Sequence, residues 1–195
     1  MTTMSRGRME AFSDGILAII ITVMILKLSP PDELSLNALI AVYPTFLAYV
    51  LSYIYIAIYW ANHHHLINMV KSVSASLLWR NLFWIFWMSL IPVATEWMGL
   101  NPKEKLPTLF YAISLFMCAI SYNIVQKEVV KINGEESKVS KNIGKDMKGK
   151  ISILAYGLAV IFSIFYPIVS YIIFIIIALI WIVPDKRLEK SIKEE

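Results

Sequence analysis

A carboxylate stands near the start of an apolar run long enough to cross a bilayer. Arg8 to Leu28 reads RMEAFSDGILAIIITVMILKL, and about 20 residues at 1.5 Å each make one crossing. Inserting an Asp costs about 2.5 to 3.5 kcal/mol at the bilayer centre and less toward the ends. Asp14 therefore requires a partner, a wet cavity or both, and the rest of the chain must supply it.

Composition agrees with a membrane location. The 195 residues are 58% hydrophobic and 16% charged, with mean hydropathy +0.64. Soluble domains are nearer half apolar and a quarter charged. The fold class is all-α, a polytopic helical membrane protein. The net charge of +4 is no argument for nucleic acid, because the basic residues concentrate in loops and tail. Cys118, the one cysteine, lies in an apolar stretch, forms no intrachain disulfide and reads as a small core residue. MTTMSRGR resembles a basic leader, but Asp14 interrupts the junction and LKLSPPDE has no small-x-small cleavage site. The first span is therefore expected to stay uncleaved.

Six spans are expected within a single domain over 1–195, at about 9–28, 37–60, 77–97, 107–126, 151–166 and 168–183. The second follows the turn-forming Ser29-Pro30-Pro31-Asp32, carries Pro44, and ends in tyrosines and Trp60, which favour the membrane boundary. The third holds Trp79, Trp84, Trp87 and Trp97, with Pro92 near its end. Lys127 to Lys150 reads as a solvated loop or a short amphipathic piece. Ile151–Val183 barely holds two crossings, with Tyr166-Pro167 as the turn between them, and a single crossing plus an interfacial helix competes. Charge favours two. With a cytoplasmic N-terminus and six spans, only Lys27, Lys103 and Lys105 of the 18 basic residues lie outside, as the positive-inside rule requires. Five spans would put Lys186, Arg187, Lys190 and Lys193 outside. Both termini are thus expected in the cytoplasm, with the chain in the cell membrane.

Projected at 100° per residue with Ile19 at zero, Gly15, Thr22, Val23 and Leu26 fall within about 60° of it, while Ser13 and Asp14 point away. The stripe with Ile19 and Leu26 carries small or apolar groups and one hydroxyl, that of Thr22. Ordinary helix packing, with Thr22 bonding its own backbone, is the reading that spacing alone favours. His63, His64 and His65 suggest a metal, but three consecutive helical residues point 100° apart, and helical zinc pairs want i, i+4. No metal site is expected. One histidine on the inward face can meet Asp14, since both lie at the cytoplasmic level; histidines resting among headgroups without a partner are the alternative. There is no nucleotide loop, no TxGYG filter and no nucleophile–base constellation.

Arg8, Phe12, Ser13 and Asp14 fit R-x-x-x-F-S-D, and the chain here resembles the transmembrane protein 175 family of potassium channels. AIIITVMIL resembles that family's pore-lining first helix. Trp60-x-x-His63-His64 resembles its second-helix motif, and Asn81 with Leu90-x-Pro92 its third helix. His65 stands where a basic residue such as Arg is expected, and Leu17 where many members have Phe. The single six-helix repeat is similar to the prokaryotic members. The resemblance implies a homotetramer in which four first helices surround a pore for K+, with Ile19 as hydrophobic constriction, Leu26 the next layer, and Thr22 offering hydroxyls to the ion. It also implies that Ser13 and Asp14 bond to His63 and to a third-helix tryptophan. The expected function is a potassium-selective leak-type channel with no cofactor and no catalysis, in contact with membrane lipid, to which Lys127 to Lys150 adds a site for anionic headgroups. A proton-coupled transporter with an Asp14–His63 relay is the rival, and an intramembrane enzyme the third candidate.

Overall fold

The structure is a computed structural model, and it describes residues 4–70, 72–134, 136–137, 140–141 and 146–182. Among the described residues seven helices follow one another: α1 Arg6–Leu26, α2 Leu36–Asn68, α3 Ala75–Ser89, α4 Ile91–Leu100, α5 Lys105–Asn133, α6 Met147–Phe165 and α7 Pro167–Ile182. No strand occurs among the described residues. Four starts are fixed by side-chain caps. Ser5, Ser35, Ser74 and Asp146 each accept a hydrogen bond from the backbone N–H three residues on, satisfying a donor that the first turn leaves open.

Two prolines shape the rest. Pro92 has no N–H to bond one turn back, so the third apolar segment breaks at Leu90 and restarts as α4. Together α3 and α4 still form one membrane-length unit of 26 residues. Pro167 keeps Tyr166 out of the helical region (φ −136°, ψ 76°), which ends α6 and starts α7 at once.

Among the described residues five segments are long and apolar enough to cross a membrane, namely α1, α2, α3 with α4, α5 and α6; α7 is apolar but has 16 residues. Polar residues do not stop the helices at the ends that hydropathy marks. The second helix runs past Trp60 through the three histidines to Asn68, and α5 continues past Gln126 to Asn133. Lys71, part of the expected Lys127–Lys150 segment, and the tail from 183 onward lie outside the described residues.

The core is shared. Helix α1 packs on α2, α3 and α4, while α5 joins α3 and α4 on one side to α6 and α7 on the other. Cys118 is fully buried in that core. Helices α2 and α4 approach closely at Gly99, where a Cβ would come within 2.8 Å of the Thr45 Cα. Small residues permit such approaches in membrane bundles, where no hydrophobic force presses helices together.

Candidate permeation helix and its anchoring network

Helix α1 has two unlike faces. Met9, Ser13, Leu17, Ile20 and Met24, at spacings of three and four, are buried against α2, α3 and α4. The opposite face leaves Ile19 60% and Leu26 80% exposed on the single chain, with Gly15, Thr22 and Val23 exposed beside them. The Thr22 hydroxyl donates to its own Ile19 carbonyl at 2.8 Å, the local bond that helical threonines often make. That bond uses the hydroxyl proton and leaves the oxygen free to accept.

The N-terminal half of α1 is tied to α2 by side chains. Three levels of α1, each four residues apart, meet three levels of α2 running the other way. Arg6 donates from Nη1 to the Asn68 carbonyl at 2.8 Å. Glu10 Oε1 lies 2.7 Å from His64 Nδ1. Asp14 Oδ1 accepts from Trp60 Nε1 at 3.1 Å. A period of four on both partners keeps all three pairs on one seam of an antiparallel pair.

Beside this seam runs a second, fully buried line. His63, Asn81 and Ser13 have no exposed surface. His63 Nε2 lies 2.8 Å from Asn81 Oδ1, Asn81 Nδ2 donates to Ser13 Oγ at 2.9 Å, and Ser13 donates to the Met9 carbonyl at 2.9 Å. Because a carbonyl oxygen only accepts, the His63 proton sits on Nε2. The Trp84 ring stacks on the imidazole, centroids 4.6 Å apart and planes at 13°.

Two expectations are corrected by this geometry. His63 does not meet Asp14: the carboxylate is held by Trp60, one turn earlier on the same helix, and Ser13 reaches His63 only through Asn81. The third-helix tryptophan, Trp84, touches the network by stacking on His63 and not by bonding Ser13 or Asp14. The histidines also diverge, His63 facing α3 and His64 facing α1, so they share no ligand point. Arg8 and Phe12 are exposed on the single chain, and the Arg8 side chain has no partner among the described residues.

The far end of α1 is anchored as well. Lys27 Nζ lies 3.3 Å from Glu96 Oε2 on α4. Behind Met24, Thr95 donates to Ser52 Oγ at 2.7 Å, and Ser52 is hydrogen-bonded to the Tyr111 hydroxyl at 2.8 Å. This second polar cluster went unread in the sequence, because isolated Ser and Thr in apolar spans are common and carry no spacing signal.

The chain belongs to the TMEM175 family. The family model described as "Endosomal/lysosomal potassium channel TMEM175" matches residues 8–92, which hold α1 from Arg8 onward, all of α2 and α3, and both lines of the network except Arg6. The chain is 48% identical over 191 residues to Potassium channel HX13_20290 of Chryseobacterium sp. (strain P1-3), covering 98% of this chain and 100% of that relative. It is 32% identical over 124 residues to Potassium channel B446_29190 of Streptomyces collinus, covering 60% of each. Its fold is similar to the crystal structure of a lysosomal potassium-selective channel TMEM175 homolog from Chamaesiphon minutus, with TM-score 0.72 at 24% identity over 90% of this chain and 97% of that one.

Proposed function

We propose that this chain is the subunit of a passive, potassium-selective leak-type channel. Four copies place α1 around a common axis, with Ile19 and Leu26 narrowing the path and Thr22 presenting hydroxyl oxygens between them. The observation that carries the reading is the two-sidedness of α1. One face is locked into the subunit by hydrogen bonds at both ends, and the other leaves Ile19 and Leu26 open. A single subunit cannot enclose a pathway with one helix, so assembly is part of the proposal. Selectivity is expected to be modest, since one ring of hydroxyls offers fewer and weaker ligands than stacked carbonyl rings.

A proton-coupled transporter is less well supported. A relay needs Asp14 and His63 in contact, yet Asp14 is held by Trp60 and His63 by Asn81. Purified protein in planar bilayers under a potassium gradient tests the choice. The expected result is a current at symmetric pH that reverses near the potassium equilibrium potential. Flux that stops without a proton gradient overturns the reading.

We further propose six crossings in the cell membrane with both ends cytoplasmic, and contact of the Lys127–Lys150 segment with anionic lipid. In a Cys118→Ser background, Glu104→Cys should react with an impermeant maleimide on intact spheroplasts. Thr2→Cys and Lys193→Cys should react only after permeabilisation; labelling of Lys193→Cys from outside would remove the sixth crossing.

A further inference from the structure

Away from α1, a cavity of about 40 Å3 opens between α2, α5, α6 and α7. Its wall carries Asn62, Tyr122, Asn123, Gln126 and Asp146. Gln126 Nε2 donates to Asp146 Oδ2 at 3.3 Å, and Asp146 Oδ1 accepts from the Gly149 N–H at 2.9 Å. Gln126 and Asp146 are each 8% exposed and Tyr122 is 7% exposed. The Tyr122 hydroxyl has no hydrogen-bond partner among the described residues.

A buried hydroxyl without a partner is rare in folded proteins. Cavities that stay dry are apolar, whereas a polar one of more than about 10 to 15 Å3 holds water when it offers two to four partners. This one has room for more than one molecule, and its wall mixes donors and acceptors. A phenol, two asparagine amides, a glutamine amide and a carboxylate suit an occupant that both donates and accepts. The neighbourhood points the same way. Tyr122 packs edge-on against Trp84, centroids 5.8 Å apart, and Trp84 stacks on His63. The unpartnered buried polar atoms His63 Nδ1 and Trp84 Nε1 belong to this same stack.

We propose that this cavity is a hydration site, holding a small cluster of ordered water in each subunit, one molecule of which bonds the Tyr122 hydroxyl. Water then stands two aromatic rings, Tyr122 and Trp84, away from the His63 imidazole, which reaches α1 through Asn81, at a place separate from the proposed pathway. The inference does not rest on the channel reading.

X-ray radiolytic footprinting of the purified full-length protein in H218O tests it, because hydroxyl radicals formed from bound water mark the side chains beside them. Tyr111 is the dry reference, fully buried with its hydroxyl bonded to Ser52. Tyr122 should gain 18O several-fold faster than Tyr111 despite similar burial. In Asn123→Leu, which replaces a polar wall group with an apolar one, the Tyr122 rate should fall toward that of Tyr111. A wild-type Tyr122 that reacts as slowly as Tyr111 overturns the proposal, whether or not the variant folds. A fast rate unchanged by Asn123→Leu overturns the assignment of the water to this cavity.

Discussion

Asn81 donates to Ser13 across the seam between α3 and α1 at 2.9 Å while accepting from His63 of α2. One carboxamide thereby joins three helices, and its orientation is dictated from both sides. The oxygen must face the imidazole N–H, and the nitrogen must face the serine oxygen, whose own proton goes to the Met9 carbonyl. Away from water, each of these groups is costly to leave unmatched.

Asn81→Ala should therefore destabilise the protein more than the loss of its volume alone. It strands the His63 N–H and removes the donor to Ser13, at about 1 to 3 kcal/mol for each unsatisfied buried group. Ser13→Ala should cost less, since only the Asn81 N–H loses its partner. The double variant should fall short of the sum, because both deletions break the same bond. Thermal unfolding of the purified protein in detergent measures this, and strict additivity would contradict the shared network.

The Asp14–Trp60 pair makes a contrasting case. Asp14→Asn retains an oxygen for the indole N–H and loses only the charge assistance, so stability and assembly should change little. Trp60→Phe removes the donor and should weaken the assembled protein more than it alters ion preference. A changed bi-ionic reversal potential in Asp14→Asn, with assembly intact, would place Asp14 in the ion path.

How far the sequence reveals this arrangement depends on what each residue needs. The two faces of α1 follow from a 100° step alone, and the buried Ser13 and exposed Ile19 agree with it. The partner of Asp14 does not follow. Trp60 and His63 lie three residues apart on one face of α2, and choosing between them requires the rotation of α2 against α1, a tertiary quantity. Hydropathy ends the second span at Trp60, yet the backbone bonds of a helix are indifferent to side-chain polarity and carry it to Asn68. Pro92 is visible in the sequence, but its missing N–H acts one turn earlier, so the break falls at Leu90. Asn81 is conspicuous as a polar residue in an apolar span; its double bonding is visible only in three dimensions.

Gly99→Ala should force α4 and α2 apart. The new Cβ would lie 2.8 Å from the Thr45 Cα and 3.3 Å from the Ala48 Cβ, and backbone cannot swing aside as a side chain can. Overpacking of this kind costs about 1 to 3 kcal/mol. Gly7→Ala is the control, because a Cβ there meets nothing within 4 Å. The first variant should unfold at lower temperature and the second should not.

Thr22→Ala should lower the preference for potassium over sodium while leaving the channel open. It removes the hydroxyl on the exposed stripe of α1 together with the γ-methyl, and Thr22→Val, which keeps the volume, should act the same way. Reversal potentials under bi-ionic potassium and sodium read the change directly, and an unaltered value would locate selection elsewhere.

Ile19 offers the sharpest test of the pathway itself. With 60% of the residue exposed on the subunit, its side chain meets either lipid, a neighbouring helix or the axis of the assembly. Four isoleucines closing on an axis form an apolar neck that water enters reluctantly, and such necks gate by dewetting. Ile19→Ala widens the neck and Ile19→Asn wets it, so single-channel conductance should rise and discrimination among cations should fall in both. Ile19→Cys, made in a Cys118→Ser background, should add block by silver ions from the aqueous side. If Ile19 instead packs against a neighbouring helix, truncation opens a cavity and costs stability, while the current through each open channel stays as it was. Stability and single-channel amplitude thus move separately in the two cases. An Ile19→Ala channel with wild-type amplitude, together with an Ile19→Cys channel insensitive to silver, would take this residue out of the pore.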